Sequence, residues 1–308
     1  MNGELTCRTD MYHGLPGIRY CTYINPKTHF SATVTANGGR IMSLCRGSFD
    51  AIDSNPEVIA ALPGLLKMER SQVKWEQVNL GGGRCWPAPQ NLFGKDGKGE
   101  GMVPFLDLDL GEYSLEEADR NTVVLCSPVD RETLLRVARL IRFDPAGTEG
   151  TSITDRIANH SRERKLVAPW DLLQVKRPVS ITVGPLRERP TVFREFGDPY
   201  RVPGLVTEED KGIWTLALGS GLDIPMFKLG LSFDPAAVNG KIRSLYQNGM
   251  LLQHSFPVTE GPYPHKGAAE IFFNSFHQYV ELEVLGREQW LAPEEFSQGL
   301  SLKVELKQ

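Results

Sequence analysis

The chain has 308 residues, of which 34 are Lys or Arg and 38 are Asp or Glu, so its formal net charge at pH 7 is only −4. No block of five or six like charges occurs, which argues against a nucleic-acid or membrane-surface partner. No apolar stretch approaches the length of a membrane-spanning helix, and the first residues lack the apolar run of a secretory signal. These features predict a cytoplasmic protein.

Short segments with a period of two dominate the chain from about residue 18 onward. Alternating or apolar runs such as HFSATVTA, VSITVG and QYVELEVL are bounded by Gly, Pro, Asn or Asp, which is typical of β-strands. Helix is predicted only for NPEVIAALPGLLKM, which Pro63 interrupts, and for SLEEADRNT. Because no polar linker separates the strands, we predict an all-β sandwich that forms one domain over residues 1–308.

The segment NLGGGRCWPAPQ, residues 79–90, combines three glycines with two prolines. Glycine permits positive φ and proline fixes φ, so the segment can hold Arg84 and Trp86 in a set direction. It lacks the spacing of a phosphate-binding P-loop. Trp86 either fills one end of the sandwich or stacks on a ligand, with Arg84 and Gln90 as polar partners. We predict a binding loop, and carbohydrate is the ligand class that suits an aromatic face beside polar groups.

Three further patterns bear on metals and redox state. The run FLDLDLGEY places Asp107 and Asp109 on one face of a predicted strand, and a solvated face is favoured over a calcium site because no further oxygen donors follow at loop spacing. The five cysteines are odd in number and widely spaced, which predicts reduced thiols rather than a disulfide framework. The histidines show no zinc-ligand spacing, so neither a metal nor another cofactor is predicted.

Charged residues also interrupt two late strands. Glu281 and Glu283 lie two residues apart in YVELEVL, so both point to the same face of a strand. That face is either solvated or the floor of a polar cleft, where burial and mutual repulsion would raise one pKa and create a general base. Lys228 in MFKLGLSF either extends to solvent or, together with Arg84, binds a carboxylate or phosphate of a sugar.

Five segments in order resemble the galactose mutarotase-like superfamily, and more specifically its bacterial DUF4380 branch. They are TVTANGGRIMSL, GGGRCWPAPQ, DRIANHSRERKLVAPWDLLQV, FKLGLSF and YVELEVLGREQWLAPEEFSQGLSLKVEL, and together they extend over roughly residues 30–306. The resemblance implies a β-supersandwich of two large antiparallel sheets, with one or two short helices and a sugar site on the concave face of one sheet. It also implies aldose mutarotase chemistry, in which a glutamate takes a proton from the C1 hydroxyl and a histidine protonates the ring oxygen.

The resemblance gives Glu281 or Glu283 the role of base, and we favour Glu283 because it is nearer the turn LGREQWLAP. The stretch that carries the acidic histidine in mutarotases here contains Trp170, Asp171 and Leu172, so His265 in GPYPHKG is a candidate acid supplied from a loop. The predicted substrate-binding residues are Arg84, Trp86, Gln90, Trp170 and Lys228. Three functions remain open: an aldose epimerase or mutarotase, a non-catalytic carbohydrate-binding protein, and a lyase-like enzyme that acts on an acidic sugar.

Overall fold

The computed structural model describes residues 3–13, 15–89, 103–144, 149–219, 222, 224–265, 267–276 and 278–308. Within this part of the chain the secondary structure is mostly strand, as the period-two pattern predicts, and the helices are short. The strands are, in chain order, β1 (Glu4–Tyr12), β2 (Leu15–Asn25), β3 (Phe30–Thr35), β4 (Arg40–Arg46), β5 (Phe49–Asp50), β6 (Gly83–Ala88), β7 (Ser114–Asp119), β8 (Thr122–Cys126), β9 (Leu135–Phe143), β10 (Gly150–Asn159), β11 (Lys165–Lys176), β12 (Ser180–Gly184), β13 (Thr191–Val192), β14 (Val206–Asp210), β15 (Ile213–Ala217), β16 (Met226–Leu231), β17 (Asn239–Leu245), β18 (Leu251–Pro257), β19 (Ala269–Asn274), β20 (Tyr279–Leu285), β21 (Gln289–Leu291) and β22 (Leu300–Lys307).

The strands form two large antiparallel sheets. The first has the order β1-β2-β3-β4-β6-β11-β20-β19-β16-β13, with β5 paired to β4 and β21 paired to β11. The second has the order β14-β15-β12-β17-β18-β22-β10-β9-β8-β7. The helices are α1 (Leu62–Leu65), α2 (Trp75–Val78) and α3 (Leu106–Asp109), with 3-10 segments at Pro56–Ala61, Arg70–Gln72 and Pro199–Arg201. The predicted all-β sandwich of two antiparallel sheets is confirmed.

One face of each sheet contributes to a shared hydrophobic core, in which Leu282 of β20 and Ile153 of β10 are both buried. A buried arginine also links the sheets. Arg139 of β9 donates to the Gly83 carbonyl oxygen at 2.9 Å and to Asp171 of β11 at 2.7 Å. A desolvated guanidinium needs such partners, because an unpaired buried charge costs several kcal/mol, on the order of 3 to 5. This arrangement fixes β6 and β11, the strands at one side of the candidate site.

Two local predictions are wrong. SLEEADRNT is not helical but forms β7, the edge strand of the second sheet, and the start of β8. Leu115 of β7 packs into the core while the acidic residues that follow it are exposed, so one apolar contact across the sheet outweighs the helical propensity of the segment. FLDLDLGEY is not a strand, since Leu106–Asp109 forms the short helix α3. Asp109 is buried rather than solvated.

The glycine-rich segment forms a turn and a central strand instead of a free binding loop. Gly81 and Gly82 adopt left-handed φ angles of 69° and 73°. A Cβ on Gly82 would lie 2.5 Å from the Ile41 carbonyl oxygen, so this close approach requires glycine. Gly83 then begins β6, between β4 and β11. Gln90, a predicted ligand contact, lies outside the described residues.

The prediction of reduced thiols is wrong for one pair of cysteines. Cys7 and Cys21 form a disulfide, because the antiparallel register of β1 and β2 places them opposite each other. Cys45, Cys85 and Cys126 are free. No helix in the described part of the chain has the length and apolar character needed to cross a membrane. Among the same residues, no group of three His, Cys, Asp or Glu side chains is arranged to hold a metal ion.

Candidate active site

The register of neighbouring strands in the first sheet gathers charged and aromatic side chains on one face. On β20, Leu282 belongs to the core, so Glu281 and Glu283 point to the opposite face, as their spacing predicts. Glu283 lies opposite Glu270 of β19, and Glu281 lies opposite Phe272. Both glutamates are nevertheless buried, with exposures of 8% for Glu281 and 1% for Glu283, so this face of β20 is not a solvated surface.

The side chains on this face surround a cleft with a volume of about 310 Å³. This volume is near the lower end of the range for small-molecule pockets, about 300 to 1,000 Å³. The residues that line the cleft are Trp75, Trp86, Trp170, Leu172, Phe196, Lys228, Phe272, Asn274, Tyr279, Glu281 and Glu283. An aromatic wall above a charged floor therefore defines the site.

Glu283 is the most unusual acid of the cleft. Its Oε2 accepts hydrogen bonds from Trp170 Nε1 at 2.9 Å and from Lys228 Nζ at 3.0 Å, whereas its buried Oε1 has no hydrogen-bond partner among the described residues. Burial raises the pKa of Glu283 to about 8; Lys228 opposes this shift, and the nearby carboxylates of Glu270 and Glu281 add to it. Glu283 therefore holds a proton at neutral pH and can act as a donor.

Lys228 does not extend to solvent, so that alternative from the sequence is wrong, whereas its role in binding a sugar anion stays a prediction. It is 4% exposed, and its Nζ lies 2.7 Å from Glu270 Oε2 as well as 3.0 Å from Glu283 Oε2. Burial alone lowers the pKa of Lys228, but these two ion pairs outweigh burial and hold the pKa above its usual range. Glu270 was missed by sequence reasoning, although its position inside the apolar run AAEIFF marks it as a buried charge.

A second buried ion pair joins Arg84 to Glu281, which lines the same cleft as Lys228 and Glu283. Arg84 Nη2 donates to Glu281 Oε1 at 2.6 Å, and its guanidinium lies 4.5 Å from the ring centre of Trp86. Trp86 Nε1 in turn donates to Asp109 Oδ1 at 2.6 Å, and Asp109 is paired with Arg40. Because Arg84 is only 1% exposed and already paired, it holds Glu281 in place more than it offers a free charge to a ligand.

The aromatic residues divide into two groups. Trp86 and Trp170 are 4% and 1% exposed and meet edge to face with ring centres 5.4 Å apart. Trp75, Phe196 and Phe272 are half-buried and thus present more ring surface to the cleft. The two predicted tryptophans therefore shape the floor and position carboxylates. The rings best placed to stack on a ligand, those of Trp75, Phe196 and Phe272, come from segments in which no sequence pattern indicated this role.

His265, the candidate acid, is near the site but does not line the cleft. Its Nδ1 lies 3.2 Å from Glu270 Oε1, and its ring meets Trp170 edge to face at 5.0 Å. His265 lines a second cavity, with a volume of about 510 Å³. Another histidine, His254, is buried in β18 of the second sheet. No histidine is present among the described residues that line the cleft.

No known family model matches this sequence, and no curated protein matches it. Solved structures do. A galactose mutarotase-like protein from Lactobacillus casei has 12% identity and a TM-score of 0.58, over 94% of this chain and 100% of that chain. An aldose epimerase homologue from C. elegans has 12% identity and a TM-score of 0.57, over 94% and 98%. A galactose mutarotase-like protein from Clostridium acetobutylicum has 9% identity and a TM-score of 0.57, over 99% and 98%.

These similarities concern the fold: the chain forms a β-sandwich similar to those of the galactose mutarotase-like structures, as the resemblance of its sequence segments implies. At sequence identities of 9 to 12%, these similarities support a shared fold but do not establish a shared reaction. The finer assignment to the DUF4380 branch and the single domain over residues 1–308 stay predictions.

Proposed function

We propose that the cleft binds a monosaccharide and that Glu281 and Glu283 interconvert its anomers by proton transfer. The observation that carries this proposal is the pair of buried carboxyl groups at the cleft floor, and burial raises the pKa of one of them, Glu283. Residues two apart on a strand have Cα atoms about 6.8 Å apart. This spacing leaves room for an anomeric carbon whose two oxygens each reach one carboxyl group at about 2.6 to 3.2 Å.

The proposed reaction begins when the Glu281 carboxylate accepts the proton of the C1 hydroxyl and Glu283 gives its proton to the ring oxygen. The C1–O5 bond then breaks, and an open-chain aldehyde forms. After rotation about C1–C2, Glu283 takes back the proton of the O5 hydroxyl, Glu281 returns its proton to O1, and the ring closes as the other anomer. No proton is consumed. The raised pKa of Glu283 suits the donor, so the proposal gives Glu281 the role of base.

A neutral aldose is the substrate class that these charges support. Arg84 is paired with Glu281, and Lys228 is paired with two carboxylates, so a sugar carboxylate would meet no unpaired cation at the floor. The half-buried rings of Trp75 and Phe272 offer apolar surface to the C–H face of a sugar ring. The lyase-like alternative needs a free cation beside an acidic sugar and therefore has less support than anomer interconversion.

A non-catalytic binding protein is the second candidate. It is favoured by the absence of histidine from the described residues of the cleft, because a histidine is the acid that the resemblance implies. In this alternative the paired glutamates only accept and donate hydrogen bonds to sugar hydroxyls. The two candidates differ in one measurable property, which is whether a bound sugar exchanges its anomers faster than in water.

Exchange spectroscopy by NMR over a panel of neutral and acidic aldoses separates the candidates. We expect the wild-type protein to accelerate exchange of at least one neutral aldose. Glu281→Gln and Glu283→Gln should each lower the rate by about 10² to 10⁴ while affinity changes little, since glutamine keeps the shape but cannot transfer the proton. The matched control is Glu117→Gln, at an exposed position of β7. Tight binding with an uncatalysed rate for every bound sugar would establish the binding protein instead.

A further inference from the structure

Four ionisable side chains form a continuous buried chain of close contacts from the cleft to the second cavity. Lys228 Nζ lies 3.0 Å from Glu283 Oε2 and 2.7 Å from Glu270 Oε2. The other oxygen of that glutamate, Glu270 Oε1, lies 3.2 Å from His265 Nδ1. None of these side chains is more than 8% exposed. Both oxygens of Glu270 are therefore engaged, one by the lysine and one by the histidine.

The strand register explains why these groups compete. Glu270 of β19 and Glu283 of β20 are directly opposite each other, and Lys228 of β16 approaches both from the next strand. Burial raises the pKa of Glu270, but Lys228 and His265 reverse the shift and lower the pKa to about 2. The ammonium group of Lys228 therefore stabilises the ionised form of Glu270 more than that of Glu283. Glu270 also has His265 beside it, whereas Glu283 does not.

The other elements packed around Glu283 add little free charge among the described residues. Glu281 is on the same strand, and Arg84 of β6 neutralises it. The strand between them, β11, contributes the indole of Trp170 and the apolar side chain of Leu172 to this face. Beside burial, the charged groups that act most on the protonation of Glu283 are thus Lys228 of β16 and Glu270 of β19.

We propose that His265, Glu270 and Lys228 form a buried charge relay that keeps a proton on Glu283, with His265 as the end of the relay at the second cavity. His265 is then a positioning residue, which acts on the cleft through Glu270 and not on the substrate. A change of charge in the second cavity reaches Glu283 without passing through the cleft. The catalytic consequence of the relay rests on the proposed function, whereas the relay itself does not.

The test is a titration of the full chain, labelled with ¹³C at the glutamate side-chain carboxyl carbons, by NMR between pH 2 and pH 10, a range that includes the low pKa of Glu270. Loss of one resonance in Glu283→Gln identifies Glu283. In Glu270→Gln, Lys228 has only Glu283 as an anionic partner and a repelling carboxylate is removed. We expect the midpoint of Glu283 to fall by at least about one pH unit, a tenfold change in its ionisation constant. Glu117→Gln, the same chemical change on an exposed strand, should leave the midpoint in place.

A second variant tests the histidine. In His265→Gln, Glu270 loses one of the two partners that stabilise its charge, so its own carboxyl resonance should begin to titrate at a higher pH. A midpoint of Glu283 that is the same in Glu270→Gln, in the control and in the wild type would overturn the relay. An unmoved Glu270 resonance in His265→Gln would remove the histidine from it. Because neither readout uses a sugar, failure of the proposed anomer exchange leaves this test intact.

Discussion

The pH dependence of anomer exchange distinguishes whether Glu283 donates a proton to the sugar or accepts one from it. With a pKa of about 8, Glu283 is protonated in about ten molecules for each ionised one at pH 7. If it is the donor, the rate is near its maximum at pH 7 and falls about tenfold for each pH unit above 8. If it is instead the base, the rate rises about tenfold between pH 7 and a plateau above pH 8. The two roles therefore predict opposite slopes.

The substitution Glu283→Gln tests the donor role directly. Glutamine keeps the volume of the side chain and an oxygen that can accept from Trp170 Nε1, and Lys228 stays neutralised by Glu270, so the fold should be retained. Only the exchangeable acid proton is lost. The expected fall in rate of about 10² to 10⁴ corresponds to about 2.7 to 5.4 kcal/mol in the barrier. The decline above pH 8 should also disappear in this variant, because the carboxyl group with a pKa of about 8 has been replaced.

Exchange spectroscopy from pH 5.5 to pH 9.5 measures both effects, after subtraction of the uncatalysed rate at each pH. Glu117→Gln serves again as the control and should reproduce the wild-type profile. A wild-type rate that increases through pH 8 would refute the donor role and restore the base role expected from the sequence. If Glu283→Gln keeps the wild-type rate and profile, Glu283 takes no part in the reaction.

Three further changes probe the cleft and its supports. Trp75→Ala should weaken sugar binding by about 1 to 3 kcal/mol in calorimetry, because a half-buried ring loses its contact area, whereas Trp290→Ala on exposed β21 should not. Lys228→Met leaves the buried Glu270 carboxylate without its cation and should lower the free energy of unfolding in urea by about 3 to 5 kcal/mol. The exposed Lys241→Met should change it by less than about 0.5 kcal/mol. Burial lowers the pKa of His254 to about 4, so between pH 6.5 and pH 4 the unfolded chain binds a proton that the folded protein does not. The free energy of unfolding of the wild type should therefore fall by about 3 kcal/mol over this range, and His254→Leu should lack this contribution.

Each of these predictions has a contradicting result. Equal affinities of Trp75→Ala and Trp290→Ala would show that the half-buried ring does not contact the sugar. If Lys228→Met were as stable as Lys241→Met, the buried Glu270 would take up a proton at no measurable cost in free energy of unfolding. Parallel losses of stability on acidification in wild type and His254→Leu would assign the acid sensitivity to other groups.

Local pattern accounts for part of the fold and of the site. The period of two predicts strands, and it places Glu281 and Glu283 on one face without knowledge of their neighbours. It fails where the deciding contact is distant in the sequence. Arg84 is 197 residues from Glu281, and the two meet only because β11 lies between β6 and β20. The alternation in FLDLDLGEY likewise imitates a strand, since nothing local reveals that Asp109 will be buried beside Arg40.

The missing histidine and the extra glutamate are parts of one arrangement. Where the resemblance implies an acidic histidine, the chain has Trp170, and an indole donates a hydrogen bond but does not release its proton to a substrate. Trp170 instead holds Glu283 Oε2, so the proton for the ring oxygen must come from another group. Glu283 can supply it only if its pKa stays high although a lysine lies 3.0 Å away. Glu270 meets that condition because it engages the same lysine, which explains why a carboxylate that never reaches the cleft matters for chemistry inside it.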